Sequence, residues 1–251
     1  MKLDRVTITG ADDGTDPKDL IALSAEFPWV EWGILASKSH EGAPRYPTRR
    51  WVERLVAAAP GPLLNSEPRG IKLSAHVCGR WVRDLLAGDA AVGREWHALD
   101  AFQRLQLNFH GEPHQTSDLK ALLHWSACAR QVIVQMDGNE RLLGWLRDGG
   151  VTAVPLFDAS GGAGLVPDAW PRPIAGIDYH GYAGGLGPAT LARELPRIAE
   201  AATLAPGMMA GPSARIWIDM ETRVRSDNDR HFDLDKVRRC LEITRPMITA
   251  A

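Results

Sequence analysis

Eight short segments rich in β-branched and apolar residues recur along the chain, and segments with helical periodicity separate most of them. The strand-like segments are Arg5 to Gly10, Val30 to Ala36, Ile71 to Cys78, Phe102 to Asn108, Gln131 to Asp137, Val151 to Asp158, Ile174 to His180 and Ala214 to Met220. The helix-like segments are Pro17 to Phe27, Thr48 to Ala59, Trp81 to Ala87, Ser117 to Ala127, Glu140 to Arg147, Ala189 to Thr203 and Leu234 to Arg245. Such alternation predicts parallel strands joined by right-handed crossovers. Eight strands in 251 residues is the number of a closed (β/α)8 TIM barrel of the α/β class.

The starts of the helix-like segments carry capping signals, such as Asp16 before Pro17, Thr48 and Asp233. An open, doubly wound sheet is the rival fold. A GxGxxG fingerprint should then follow the first strand, whereas residues 9–14 read Thr-Gly-Ala-Asp-Asp-Gly, with another glycine spacing and two carboxylates. No linker or shift in composition divides the chain, so we expect one TIM-barrel domain over residues 1–251.

Composition and charge restrict the kinds of partner. Hydrophobic residues make up 45% and charged residues 24% of the chain, which excludes disordered and fibrous classes. The formal net charge of −2 gives no basis for bulk attraction to nucleic acid or to an anionic membrane. Cys78, Cys128 and Cys240 lack CxxC spacing, which predicts neither a disulfide framework nor structural zinc. No leader-like start or long apolar run occurs. We expect a cytoplasmic protein that binds a small molecule and no cofactor, with a homodimer left open.

Polar side chains gather where the predicted strands end. Residues i and i+2 of a strand share a face, and the carboxyl ends of barrel strands open onto the active-site mouth. Burying an unpaired polar group costs about 1 to 3 kcal/mol, so a ligand-facing mouth explains this polarity. Loop capping or mutual hydrogen bonds are the alternative. The predicted inward-facing residues are Thr7, Thr9, Ser74, His76, Cys78, Gln106, Asn108, Gln135, Asp137, Asp158, Asp178, His180, Asp219 and Glu221.

Five segments in chain order share motifs with one known family. Residues 33–39 read Gly-Ile-Leu-Ala-Ser-Lys-Ser and precede Pro44-Arg45-Tyr46, while residues 105–112 read Leu-Gln-Leu-Asn-Phe-His-Gly-Glu. Phe157-Asp158 precedes Gly-Gly-Ala-Gly, residues 183–188 read Ala-Gly-Gly-Leu-Gly-Pro, and Ile218-Asp219 lies in the last strand. Together they resemble phosphoribosylanthranilate isomerase, whose members carry similar runs at these places. Relative to that pattern, this chain has an insertion in each of the first two segments.

The resemblance implies a TIM barrel that carries out an Amadori rearrangement of an aminoaldose phosphate. It implies that Asp158 is the general acid that helps to open the sugar, provided that its pKa is raised toward neutrality. It also implies that Arg45 and Asp219 contact the substrate. Gly184 and Gly185 open a helix, whose free amides can bind phosphate. Loop capping by Asp158, ion pairing by Arg45 and a tight turn at the glycines stay open.

Two departures from the family pattern concern the chemistry. The first strand ends with Thr9 where the family has a cysteine as general base, and a threonine hydroxyl does not accept a proton near neutral pH without a strong base beside it. We therefore expect a relocated base, for which His76, Cys78 and Glu221 are the candidates. Glu221 also stands in the loop that completes the family's phosphate site, where it would repel a dianion that Arg223 could attract.

The leading hypothesis is an enzyme that isomerises a sugar or sugar phosphate by acid–base chemistry. Its catalytic candidates are Asp158, Asp219, His76, Cys78 and Glu221. Its substrate-binding candidates are Thr9, Arg45, Gln106, Asn108, Asp137, Asp178, His180, Gly184, Gly185 and Arg223. A metal-dependent lyase or hydrolase that uses the histidines and carboxylates is an alternative, although no short HxH or HxxxH pair marks it and we assign no metal ligand. A non-catalytic barrel that binds a small ligand is the other.

Overall fold

Eight parallel strands close into a barrel in the computed structural model, which describes residues 2–59, 70–86, 101–108, 131–158, 164–203 and 215–248. The strands are β1 (Lys2–Thr9), β2 (Val30–Ser37), β3 (Lys72–Cys78), β4 (Arg104–Asn108), β5 (Gln131–Gln135), β6 (Ala153–Asp158), β7 (Tyr179–Ala183) and β8 (Arg215–Met220). They follow the chain order around the barrel, and β8 pairs with β1 in parallel. The predicted (β/α)8 TIM barrel is confirmed.

Helices surround the strands. They are α1 (Pro17–Glu26), α2 (Arg49–Ala58), α3 (Arg80–Leu86), α4 (Glu140–Asp148), α5 (Leu191–Ala201) and α6 (Leu234–Thr244). As predicted, Asp16, Thr48 and Asp233 cap α1, α2 and α6, because each side chain accepts a hydrogen bond from an amide of the first turn. The predicted helix Ser117 to Ala127 lies outside the described residues. In the described part of the chain, no helix has the length and apolarity needed to cross a membrane.

The seventh strand lies further along the chain than the sequence predicted. The apolar residues Ile174 and Ile177 indicated a strand from Ile174 to His180, but both pack against the core from an irregular segment. The backbone N–H of Ile174 donates to His180 Nε2 (2.9 Å), so this segment folds back against β7. The strand instead begins at Tyr179, which pairs with Arg215 of β8. The shift changes which side chains of β7 face inward.

Charged side chains fill the amino-terminal part of the barrel lumen. Glu31 on β2 is fully buried and accepts hydrogen bonds from Arg5 (2.5 Å), Arg104 (2.9 Å) and Thr7 (2.8 Å). Although burial opposes ionisation, the charges of Arg104 and Arg5 hold the pKa of Glu31 below its usual value. The Arg104 guanidinium also lies over the Trp217 ring, 4.1 Å from its centroid, in a cation–π arrangement. This buried ion cluster ties β1, β2, β4 and β8 together beneath the mouth.

Candidate active site

Three predicted site residues meet at the carboxyl end of the barrel: Asp219 on β8, Thr9 on β1 and His76 on β3. The Thr9 hydroxyl donates a hydrogen bond to Asp219 Oδ1 (2.9 Å), and His76 Nδ1 lies 3.9 Å from Asp219 Oδ2. All three side chains are buried. Gly33 on the intervening strand β2 makes this approach possible, because a methyl group there would lie 2.1 Å from Thr9 Oγ1 and 2.7 Å from His76 Cε1.

Burial favours the uncharged form of the Asp219 carboxyl group at neutral pH. Burial raises the pKa of Asp219 to about 8, and the negative charges of Glu221 and Asp158 add to this shift, whereas the hydrogen bond from Thr9 opposes it. A group with a pKa close to the working pH transfers protons efficiently in both directions. Asp219 therefore has the protonation behaviour of a general acid.

The imidazole of His76 is neutral as well. Burial lowers the pKa of His76 to about 3, because a charged ring is poorly solvated there. Its Nε2 atom has no hydrogen-bond partner among the described residues. At neutral pH the acidic proton is therefore held by the Asp219 carboxyl group rather than by a charged His76 ring.

The second predicted carboxyl group, Asp158, lies across the mouth at the end of β6. Gln135 on β5 donates from Nε2 to Asp158 Oδ2 (3.1 Å), which orients the carboxyl group. The strand register places both Asp158 and Asp219 opposite Ala183 of β7, so their backbones are two strand spacings apart, about 10 Å. At that register position the intervening strand carries only the small side chain of Ala183. One compact ligand can contact both carboxyl groups.

A chain of hydrogen bonds links the polar residues of β3 and β4. Gln106 donates from Nε2 to Asn108 Oδ1 (2.9 Å), and Asn108 donates from Nδ2 to the Cys78 sulfur (3.5 Å). Gln106 Oε1 has no partner within the described residues. Burial raises the pKa of Cys78 to about 12, so the side chain remains a thiol at neutral pH. Of the three candidates for a relocated base, Cys78 is thus the least suited.

The predicted substrate anchor Arg45 is already bound to two carboxylates. Its guanidinium donates to Glu221 Oε1 (2.5 Å) and to Asp229 Oδ2, and its backbone N–H donates to Asp12 Oδ2 (2.8 Å). Arg225, whose side chain is fully buried, forms ion pairs with Asp12 (2.9 Å) and Asp229 (2.9 Å). Burial raises the pKa of Glu221, and Arg45 opposes this shift. We call these five residues the Arg45 network; the roles of Asp12 and Asp229 in it were not predicted.

A short hairpin after β8 brings Asp229 to Arg45. Strands β9 (Arg225–Ser226) and β10 (His231–Phe232) pair in antiparallel fashion, and between them Asp227, Asn228 and Asp229 have φ angles of 50°, 52° and 70°. Asp and Asn tolerate this left-handed region better than most non-glycine residues, at a cost of roughly 1–2 kcal/mol each. Such strain persists where surrounding contacts hold it. The ion pairs of Asp229 are contacts of this kind.

The predicted phosphate loop packs closely against the chain's own residues. Gly184 and Gly185 have φ angles of 118° and 60°, which favour glycine. A methyl group on Gly185 would lie 2.5 Å from the backbone nitrogen of Val166, and one on Gly187 would lie 2.4 Å from Arg223 Cβ. Backbone conformation and close packing therefore account for these glycines without a bound phosphate.

Two predicted binding residues take other positions, and a third lies exposed at the edge of the mouth. Asp178 precedes β7 and is exposed at its amino end, so its predicted place at the mouth is corrected. His180 faces outward, because the neighbouring Gly181 packs inward against Trp217; its ring stacks on Phe157 (5.8 Å between centroids), and burial lowers its pKa to about 4. Asp137 lies at the carboxyl end of β5, where it is exposed on the rim.

Comparisons with known proteins assign no family to the chain. It matches no protein-family model and no curated protein. Within the ranges that the structure describes, no three His, Cys, Asp or Glu side chains group as metal ligands. The resemblance to phosphoribosylanthranilate isomerase stays a prediction, and the activity of the chain has to be inferred from the geometry of the mouth.

Proposed function

We propose that the barrel mouth is the active centre of an enzyme that isomerises a small sugar-type molecule by acid–base proton transfer. The observation that carries this proposal is the buried Asp219 carboxyl group, with its pKa raised to about 8, beside His76 and Thr9. Strongly shifted carboxyl groups in a cleft are typical of proton-transfer sites. The carboxyl face is where TIM-barrel enzymes carry their active sites, and the motif resemblance to an isomerase family supports the same class of reaction.

Asp219 is the general acid in this proposal. Its protonated carboxyl group donates to the carbonyl oxygen of an open-chain substrate, and Asp158, oriented by Gln135, accepts a proton from the adjacent carbon, which gives an enediol. Asp158 then returns its proton to the former carbonyl carbon while the Asp219 carboxylate takes the proton of the second hydroxyl group, which completes the isomerisation and restores both side chains. The family resemblance instead implies that Asp158 is the general acid and that Asp219 contacts the substrate; here Asp219 is the acid, because burial raises its pKa.

Thr9 and His76 are positioning residues in this proposal. The Thr9 hydroxyl donates to Oδ1 of Asp219, so the acidic proton is placed on Oδ2, which faces His76. The pKa of His76, lowered to about 3, makes it a poor base at neutral pH. Its neutral ring instead offers a hydrogen-bonding nitrogen next to the acid.

Exchange of carbon-bound hydrogen tests the proposal even when the product has not been identified. Aldoses, ketoses and their phosphates are incubated with the protein in D2O, and incorporation of deuterium is followed by proton NMR. Asp219→Asn should lower the exchange rate about 10²- to 10⁴-fold. The matched control, Asp178→Asn, changes an exposed carboxyl group at the opposite end of β7 and should leave the rate unchanged. Equal rates in the wild type and Asp219→Asn would contradict the role of Asp219, and absence of exchange with every sugar would favour a non-catalytic barrel.

We infer that the enzyme works in a reducing compartment such as the cytoplasm. Cys78 and Cys240 are both free thiols, and unpaired buried cysteines are ordinary in reducing compartments. Mass spectrometry of protein from its native cells, alkylated before lysis, should find both thiols reduced.

A further inference from the structure

We propose that this mouth takes an uncharged, hydroxyl-bearing substrate and discriminates against the corresponding phosphate ester. This names the substrate class of the isomerisation proposed above, on which it rests. Three groups of contacts support it: those of the arginines next to β8, those of the glycine loop, and those of the uncharged floor of the mouth.

Arg45 and Arg225, two of the three arginines next to β8, offer no net positive charge to a phosphate. In the Arg45 network two guanidinium groups, Arg45 and Arg225, face the three carboxyl groups of Asp12, Glu221 and Asp229. Whether or not Glu221 is ionised, three acids against two bases leave this cluster without excess positive charge. A dianion approaching Arg45 would have to displace a carboxylate that holds it at 2.5 Å, and like charges this close repel.

Arg223, the third arginine, is also engaged. Its Nε and Nη2 atoms donate to the carbonyl oxygen of Gly164 (3.3 and 3.2 Å), and its Cβ packs against Gly187. These contacts direct the guanidinium toward the segment that follows β6. Two N–H groups of the cation that the sequence indicated as a phosphate ligand thus hold a loop.

The glycine loop presents oxygen atoms to the mouth beside Gly184. A methyl group on Gly184 would lie 3.0 Å from the carbonyl oxygen of Leu165 and 3.6 Å from Asp158 Oδ1. The carbonyl oxygen of Leu165 carries a partial negative charge, and the carboxyl oxygen of Asp158 carries a larger one. Both oxygens repel a phosphate oxygen placed next to this glycine, and both can accept a hydrogen bond from a hydroxyl group. Segment 164–166 therefore makes this side of the loop favour a hydrogen-bond donor, whereas a phosphate site would favour an anion.

The floor of the mouth consists of neutral hydrogen-bonding groups. His76 Nε2 and Gln106 Oε1 belong to side chains that are 1% and 4% exposed, and neither atom has a partner among the described residues. Buried polar atoms are almost always hydrogen-bonded, so these two atoms call for groups from a ligand or from water. A sugar hydroxyl both donates and accepts and can bond either atom. The neutral states of Asp219 and His76 at pH 7 fit the same class of ligand.

Inorganic phosphate is the probe for the test, followed by the backbone amide NMR signals of Gly184 and Gly185 in the full chain. The wild type should show no shift of these signals up to about 10 mM phosphate, a very weak affinity. In the double variant Glu221→Gln/Asp229→Asn, Arg45 loses both ionic partners and becomes available. We expect phosphate to bind it at least about tenfold more tightly, since hydrogen bonds to charged groups are stronger than those between neutral groups.

The matched control is Glu41→Gln/Asp227→Asn, which removes two negative charges from exposed positions and should give no gain. The proposal is overturned if the wild-type signals already shift near 1 mM phosphate, whether the phosphate binds at Arg45 or in the neighbouring cavity lined by Arg223, Lys236 and Arg239. A folded double variant without a gain overturns it equally. If circular dichroism shows that the double variant is unfolded, Glu221→Gln alone must show the gain, and Arg45→Met must leave the wild-type response unchanged. Because no turnover is measured, the outcome is separable from that of the deuterium-exchange test.

Discussion

Replacing Asp219 with asparagine should change how the stability of the protein depends on pH. Between the ordinary Asp pKa of 3.8 and the folded value of about 8, the native state keeps a proton that the unfolded chain has released. The free energy of unfolding of the wild type therefore falls as the pH rises through this window. An asparagine side chain does not titrate, so the free energy of unfolding of the variant should not fall with pH for this reason.

The size of the effect follows from one proton. Each pH unit within the window changes the folding equilibrium by up to tenfold, so between about pH 5 and pH 7 the variant should gain on the wild type by at most about 3 kcal/mol. His76 contributes in the opposite sense: because burial lowers its pKa to about 3, stability is lost as the pH falls below about 6.5. This contribution is common to both proteins and cancels in their difference.

Urea unfolding followed by tryptophan fluorescence, repeated from about pH 5 to pH 8, measures the difference directly. Asp178→Asn is the control, because its carboxyl group is exposed and its difference from the wild type should stay flat with pH. The reasoning is refuted if the difference between Asp219→Asn and the wild type is independent of pH, or if it shrinks as the pH rises.

Three further predictions concern packing, charge and thiol reactivity. Gly33→Ala should destabilise by about 1–3 kcal/mol in urea unfolding, because its methyl group collides with neighbouring side chains; Gly144→Ala on α4, with open space around it, should be neutral or stabilising, and equal effects would contradict this packing. Glu31→Gln should cost about 3–5 kcal/mol in the same assay, since two buried guanidinium groups lose their partner charge, and a loss below about 1 kcal/mol would speak against the ion cluster. Cys78, whose pKa is raised to about 12, should resist iodoacetamide near neutral pH until the protein unfolds; rapid labelling of its peptide in the native state, detected by mass spectrometry, would show a thiolate instead.

The barrel could be predicted because its signals are local. Each strand carries its own run of apolar residues, and caps such as Asp16 and Asp233 mark helix starts within a few residues. The seventh strand was misplaced for a related reason: Ile174 and Ile177 are apolar and resemble a strand start, yet they pack against the core from outside a strand. Which segment pairs with β8 depends on residues far away along the chain.

The sequence predicted those site residues that can be found from the alternation of side chains along a single strand. Reading every second residue found Thr9, His76 and Asp219, which the structure brings together. Arg45 forms its ion pairs with Glu221 and Asp229, which lie about 180 residues further along the chain. No local sequence pattern indicates such pairs. The raised pKa of Asp219 also depends on burial, which a sequence shows only indirectly.

The protonation state of Asp219, on which the proposed mechanism depends, can be measured by NMR. In protein labelled with ¹³C at aspartate side chains, the Asp219 carboxyl resonance can be assigned by its absence from Asp219→Asn and followed as the pH is raised. We expect this resonance to titrate near pH 8, in parallel with the fall of any exchange activity that needs the protonated acid. Titration near the ordinary Asp value of 3.8 would show a permanently charged carboxylate and would contradict the proposed acid.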